Sequence, residues 1–143
     1  MQKLTTIAVD TAKLVFEVVI DAKPKRRSMR LSHDEFRAFI VTQERSRFVL
    51  EACGGARHWA RLMAAHGHEV RMLPALYIRP YRRRNKTDRA DCLAMLEADK
   101  NTEILSVPIK PVDAQALQAL YRARSGWMAT RTARINALRG HLR

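Results

Sequence analysis

Three residues, Thr11-Ala12-Lys13, separate two apolar runs near the start of the chain, and that short link constrains the fold more than any other feature. Residues 4–9 (LTTIAV) form the first run, ending at Asp10, and residues 14–21 (LVFEVVID) the second. A parallel return needs a crossover of roughly a dozen residues, so the second run must pair antiparallel with the first. Phe16, Val18 and Ile20 alternate with Val15, Glu17 and Val19, as in a strand mostly covered on both faces. A basic turn around Pro24 leads to a weaker third strand near 27–31, which completes a meander.

The pattern then changes. Ser32-His33-Asp34-Glu35 is a capping box, and Phe36, Phe39 and Ile40 give the helix after it an apolar stripe. Residues 47–51 (RFVLE) read as a strand followed by Gly54-Gly55, and a second helix carries Trp59, Leu62 and Met63 before stopping near Gly67. Residues 69–73 (EVRML) close as a strand before Pro74. Strands joined through helices pair in parallel. The expectation is an α/β fold with a mixed five-stranded sheet and flanking helices, an antiparallel meander extended by two parallel strands.

Residues 74–87 read as a Pro- and Arg-rich loop, followed by a helix from about 85–88 to Lys100. Pro108 and Pro111 mark a break. Beyond it Leu117, Leu120, Trp127, Ile135, Leu138 and Leu142 recur at helical spacing, interrupted by Arg124 and Arg131. No stop signal ends that long C-terminal helix, so the chain reads as unfinished. The organisation expected is a domain over 1–108 and the start of a helical segment over 109–143.

Composition narrows the functional classes. A hydrophobic share of 47% over 143 residues is that of one ordinary globular domain and argues against disorder. No apolar run approaches the ~20 residues that span a bilayer, and no signal-peptide core is present, so a cytoplasmic protein with no membrane partner is expected. Cys53 and Cys92 form no C-x-x-C pair. Twenty-seven Lys and Arg against fourteen Asp and Glu give +13, a balance suited to nucleic acid.

Arg79, Arg82, Arg83, Arg84, Lys86 and Arg89 surround the single acid Asp88, with Tyr77 and Tyr81 interleaved, as in a loop that grips phosphates; Tyr81 could stack on a base. Lys23, Lys25, Arg26, Arg27 and Arg30 read as an exposed hairpin. Arg122, Arg124, Arg131, Arg134, Arg139 and Arg143 stud the last helix with no acid after Asp113, which calls for a partner helix or nucleic acid. His66 and His68 read as helix-end residues, and Trp59 and Trp127 as packing residues.

The acids are few enough for their placement to matter. Asp10 ends the first strand, Glu51 ends the fourth, and Asp88 and Asp91 share one face of a helix. If the first and fourth strands are neighbours, Asp10 and Glu51 emerge side by side, and a helix across that edge brings Asp88 and Asp91 to them. Four converging carboxylates repel one another and call for divalent cations, and oxygen donors suit Mg²⁺ or Mn²⁺. Taken singly the same residues have plainer uses. Asp88 and Asp91 suit the helix dipole, Asp10 a turn, and Glu51 an ion pair with an arginine such as Arg47.

A-V-D-T-A-K at the first strand, L-E-A-C-G-G at the fourth and N-K-T-D-R-A-D before the helix resemble the DEDD-type insertion-sequence transposases, relatives of which include the pilin-gene DNA invertases. The resemblance covers essentially the whole chain. It implies a ribonuclease-H-like (RuvC-like) fold and a four-acid site of Asp10, Glu51, Asp88 and Asp91 that binds Mg²⁺ or Mn²⁺ for DNA strand cleavage and transfer in transposition. It also implies dimerisation or higher assembly through the C-terminal helix, DNA as partner, and in many relatives a structured guide RNA. Family members continue into a second domain whose serine attacks DNA, and neither Ser106 nor Ser125 matches it. Cys92 stands where the family usually has Ala. The alternatives are a RuvC-like nuclease or resolvase acting alone with water, and a non-catalytic nucleic-acid-binding fragment.

Overall fold

The computed structural model describes residues 4–11, 14–22, 24–82 and 87–142. Its sheet has five strands: β1 (Thr6–Thr11), β2 (Phe16–Asp21), β3 (Arg27–Leu31), β4 (Arg47–Glu51) and β5 (Glu69–Leu73). Their order across the sheet is β3-β2-β1-β4-β5. β1 pairs antiparallel with β2, and β2 with β3, as the short links require. β4 pairs parallel with β1, and β5 with β4, because α1 (His33–Thr42) and α2 (Ala56–Ala65) supply the crossovers. This mixed sheet with flanking helices is a ribonuclease-H-like α/β arrangement.

Local chemistry accounts for the helices. Ser32 Oγ accepts from the Glu35 amide at 3.4 Å, and Glu35 Oε2 accepts from the Ser32 amide at 2.8 Å, so the capping box forms on both sides. α1 then buries Phe36 and Ile40. α2 buries Trp59 and Met63, and Gly67 beyond it takes a φ of 82°, a left-handed value that suits glycine. Phe16, Phe36 and Trp59 meet with ring centroids 4.4–5.1 Å apart. His68 is buried, its Nδ1 accepting from the Ser46 amide and its Nε2 lying 2.9 Å from the Ile40 carbonyl. An Nδ1 that accepts leaves the proton on Nε2, so this imidazole is a neutral fastener between elements.

Strand parity divides the core into two layers. Ile7, Val9, Phe48 and Leu50 pack under α1 and α2. Ala8, Val19, Val49 and Leu73 pack under α3 (Ala75–Ile78) and α4 (Asp88–Asp99) with Ile78, Cys92, Met95 and Leu96. Residues 74–82, expected as plain loop, hold α3 and a 3-10 turn at Arg79–Tyr81, because burial of Ile78 pins a helical turn after Pro74. The second strand is shorter than its apolar run suggests: Leu14 and Val15 are exposed and precede it. Thr87 Oγ1 caps α4 by accepting from the Ala90 amide at 3.1 Å. At the far end of α4, Arg71 donates to the Asp99 carboxylate at 2.7 Å and to the Ile104 carbonyl at 2.7 Å, clasping that end to β5.

The chain divides into two compact units, Met1–Ile109 and Lys110–Arg143. The second consists of α5 (Val112–His141), none of whose residues is buried. Trp127, read from sequence as a packing residue, is 75% exposed there. Among the described residues no helix is long and apolar enough to cross a membrane.

Candidate active site

Asp10 and Glu51 lie on the same face of the sheet because each shares the parity of a residue in the α4-side core. Asp10 follows Ala8 by two and Glu51 follows Val49 by two, and Val9 pairs with Leu50 in the parallel register. Both carboxylates therefore leave the carboxyl ends of neighbouring parallel strands beneath α4. Asp10 also pairs with Glu17, and Glu17 with Arg30, so one polar row, Arg30–Glu17–Asp10–Glu51, crosses four strands. On α4, Asp91 is buried and faces the sheet, while Asp88 at the helix start is exposed.

These acids share one cleft. Asp10, Thr11, Glu51, Cys53, Arg82, Asp88 and Asp91 line an open cavity of about 320 Å³. Arg82 reaches into it: its Nη2 donates to Glu51 Oε2 at 2.6 Å, and its Nε lies 3.0 Å from Asp91 Oδ1. Arg30 donates to Glu17 at 3.1 Å and stands 3.8 Å from Asp88 Oδ2. Asp10 has no ion pair among the described residues. Burial, then the neighbouring charges of Asp91, Asp88 and Glu51, raise its pKa to about 6, and Arg82 only partly opposes them.

The four acids named from sequence thus come together, drawn from two strands and one helix. The partner of Glu51 is Arg82 and not Arg47, which lies at the opposite end of β4 and pairs with Glu69 and Asp99. Of the basic loop, Arg79 and Arg89 are exposed, Arg82 turns inward, and Arg83, Arg84 and Lys86 lie outside the described residues. Tyr81 packs against the α4-side core and accepts from Asn101 Nδ2 at 3.3 Å, so its ring is no free platform. Arg26 pairs with Asp21 and Glu97, and so with Arg30 belongs to ion pairs rather than to a bare exposed hairpin. Sequence reasoning missed Arg30 as a neighbour of the acids. The signal lay in the register, which sets 10 beside 17 and 17 beside 30.

Chemically the cleft suits a hard cation: every ionised donor is a carboxylate, and a guanidinium already sits between two of them. Among the described residues no three His, Cys, Asp or Glu side chains stand ready-made around a single point. The acids fit a divalent ion by donor type and require side-chain movement to enclose one. Neither serine noted from sequence lines the cleft. Ser106 is tied to Met72 of β5 and Ser125 is exposed on α5. Cys92 is buried, donates to the Glu17 carbonyl at 3.3 Å, and has its thiol pKa pushed up chiefly by burial, as befits a small packing residue.

A cleft lined by four acids thus opens at the carboxyl ends of two neighbouring parallel strands of a ribonuclease-H-like sheet. Comparison with known proteins makes the assignment particular. The transposase family profile of the IS110 DEDD type matches residues 7–143, and the chain belongs to that family. It is 35% identical over 142 residues to the transposase y4pF/y4sB of Sinorhizobium fredii, covering 98% of this chain and 37% of that protein. It is 33% identical over 144 residues to the transposase for insertion sequence element IS1111A of Coxiella burnetii, covering 99% and 40%. A family 20 transposase of Pseudomonas aeruginosa is 35% identical over 141 residues, covering 97% and 42%. The chain therefore spans about two-fifths of the length of these relatives. No solved structure matches it.

Proposed function

We propose that this chain is the metal- and DNA-handling catalytic domain of a DNA transposase, in which Asp10, Glu51, Asp88 and Asp91 hold Mg²⁺ or Mn²⁺ for strand cleavage and transfer. The observation that carries the reading is the arrival of these acids, from positions as far apart as 10 and 91, in one cleft at the carboxyl ends of β1 and β4. A bound divalent ion there would polarise a scissile phosphate and stabilise charge on the attacking and leaving oxygens. Asp10 and Glu51, fixed by paired strands, form the rigid half of the donor set. Asp91, buried under α4, and Asp88, exposed at its start, form the half that moves with the helix. Arg79 and Arg89 face outward and hold the DNA backbone beside the cleft, where their charge also steers encounter.

In this reading the nucleophile is brought to the cleft by another component of the transposase, and Ser106, tied to Met72, is not that group. Assembly through α5 belongs to the same reading and is supported by its exposed Leu117, Leu120, Trp127 and Leu138. The test is Mn²⁺-dependent cleavage of nicked or branched duplex DNA by the purified chain, alone and with the remainder of a relative supplied in trans. The proposal expects cutting only with the second component, lost in Asp88→Asn. Cutting by the chain alone, also lost in Asp88→Asn, would favour a resolvase that uses water. Cutting that survives Asp88→Asn would contradict both.

A further inference from the structure

Arg82 is handled differently from Arg79 and Arg89, the other described cations of its loop. It follows the 3-10 turn Arg79–Tyr81, and its amide donates to the Arg79 carbonyl at 3.1 Å, which turns the side chain inward while Arg79 and Arg89 face solvent. One nitrogen makes a 2.6 Å charge-assisted hydrogen bond to Glu51. The contact with Asp91 is of another kind: Nε lies 3.0 Å from Oδ1, yet this buried N–H has no hydrogen-bond acceptor among the described residues. A guanidinium whose donors are all matched is a cross-link. This one is fastened at Glu51 and held at Asp91 by charge alone.

We propose that Arg82 is an exchangeable counter-cation: it and a divalent metal ion compete for Glu51 and Asp91, and the guanidinium set free by the exchange then meets a DNA phosphate at the mouth of the cleft. The inference rests on the carboxylate–metal reading given above. A small divalent ion takes carboxylate oxygens at about 2.0–2.2 Å, far closer than a guanidinium approaches them. Arginine cannot shed its proton to relieve the resulting repulsion, so it must move. Arg30 is under no such pressure, because Glu17 holds it by a hydrogen bond and its approach to Asp88 is only 3.8 Å. The exchange couples two events, metal entry and phosphate capture, through one side chain.

Mn²⁺ titration calorimetry at constant ionic strength tests the exchange on the wild type, Arg82→Ala, Arg82→Lys and Asp91→Asn, with melting curves in EDTA and in Mn²⁺. Arg82→Gln repeats the reading with less volume lost. Loss of the competitor is expected to tighten Mn²⁺ binding about tenfold in Arg82→Ala and Arg82→Gln, a usual size for a coupling between two ligands. Those variants should melt lower than wild type in EDTA and gain more from Mn²⁺, while Arg82→Lys stays near wild type. Unchanged or weaker Mn²⁺ binding in Arg82→Ala and Arg82→Gln overturns the exchange, and leaves the carboxylate site standing if Asp91→Asn still abolishes binding. Mn²⁺ that binds none of the five proteins overturns both. For the second half, fluorescence anisotropy of a short labelled duplex should show Arg82→Ala losing affinity in Mn²⁺ and not in EDTA. An equal loss in both overturns it.

Discussion

Asp10 carries the charge in the cleft that no described cation neutralises, and its titration shows the consequence. An unfolded aspartate titrates near 3.8 and the folded one at about 6, so the folded chain holds this proton more tightly than the unfolded chain does. The sign follows: protonated Asp10 favours the fold below about pH 4, and that advantage is lost as pH rises through 6. A shift of this size corresponds to at most about 3 kcal/mol, and screening in a half-open cleft reduces it to about 1 kcal/mol. In EDTA at pH 7.5, Asp10→Asn should therefore melt a few degrees above wild type, and the gap should narrow as the pH falls through 6 and close only near or below about pH 4. Melting curves at the two pH values check this, and a gap independent of pH would assign the cost to something other than charge. The acids themselves were legible in the sequence because acids are scarce here and all four sit in three short motifs. What each would touch was not legible. Glu51 pairs with Arg82 across thirty-one positions, a contact decided by how α3 packs rather than by spacing.

At the scale of elements, those whose signals are local were readable and those set by packing were not. The capping box, the helix stripes and the short strand link each act within a few residues, and α1, α2 and the sheet order follow from them. Removing the cap should show its local weight: Ser32→Ala is expected to cost about 1 kcal/mol, read as a shifted urea midpoint with an unchanged slope. α3 escaped notice because four residues carry no period, and burial of Ile78 is a tertiary event. In α5, helical spacing marked out Trp127 correctly as part of a stripe, but a stripe does not say whether anything covers it. If a second copy does, as proposed, Leu120→Glu with Leu138→Glu should reduce the light-scattering mass to that of one chain. A mass indifferent to both changes would contradict pairing through this helix.

For the molecule as a whole, charge and topology divide the work. A balance of +13 draws a polyanion without regard to sequence, while the fold gathers four of the chain's fourteen acidic residues into one cleft. The topology explains why this is possible: the carboxyl ends of adjacent parallel strands open on one crevice, and α4 closes over it. If Arg79 and Arg89 each hold a phosphate, changing both to Ala should reduce the slope of log affinity against log salt by about 1.8, with affinity falling for every duplex sequence alike. An unaltered slope would take both residues out of the interface. The central claim is that four acids from three segments act as one cation site. Mn²⁺ titration of the wild type beside Asp10→Asn, Glu51→Gln, Asp88→Asn and Asp91→Asn addresses it most directly. The account predicts measurable binding in the wild type and a loss of about tenfold or more in each variant; equal Mn²⁺ affinity in all five proteins would contradict it.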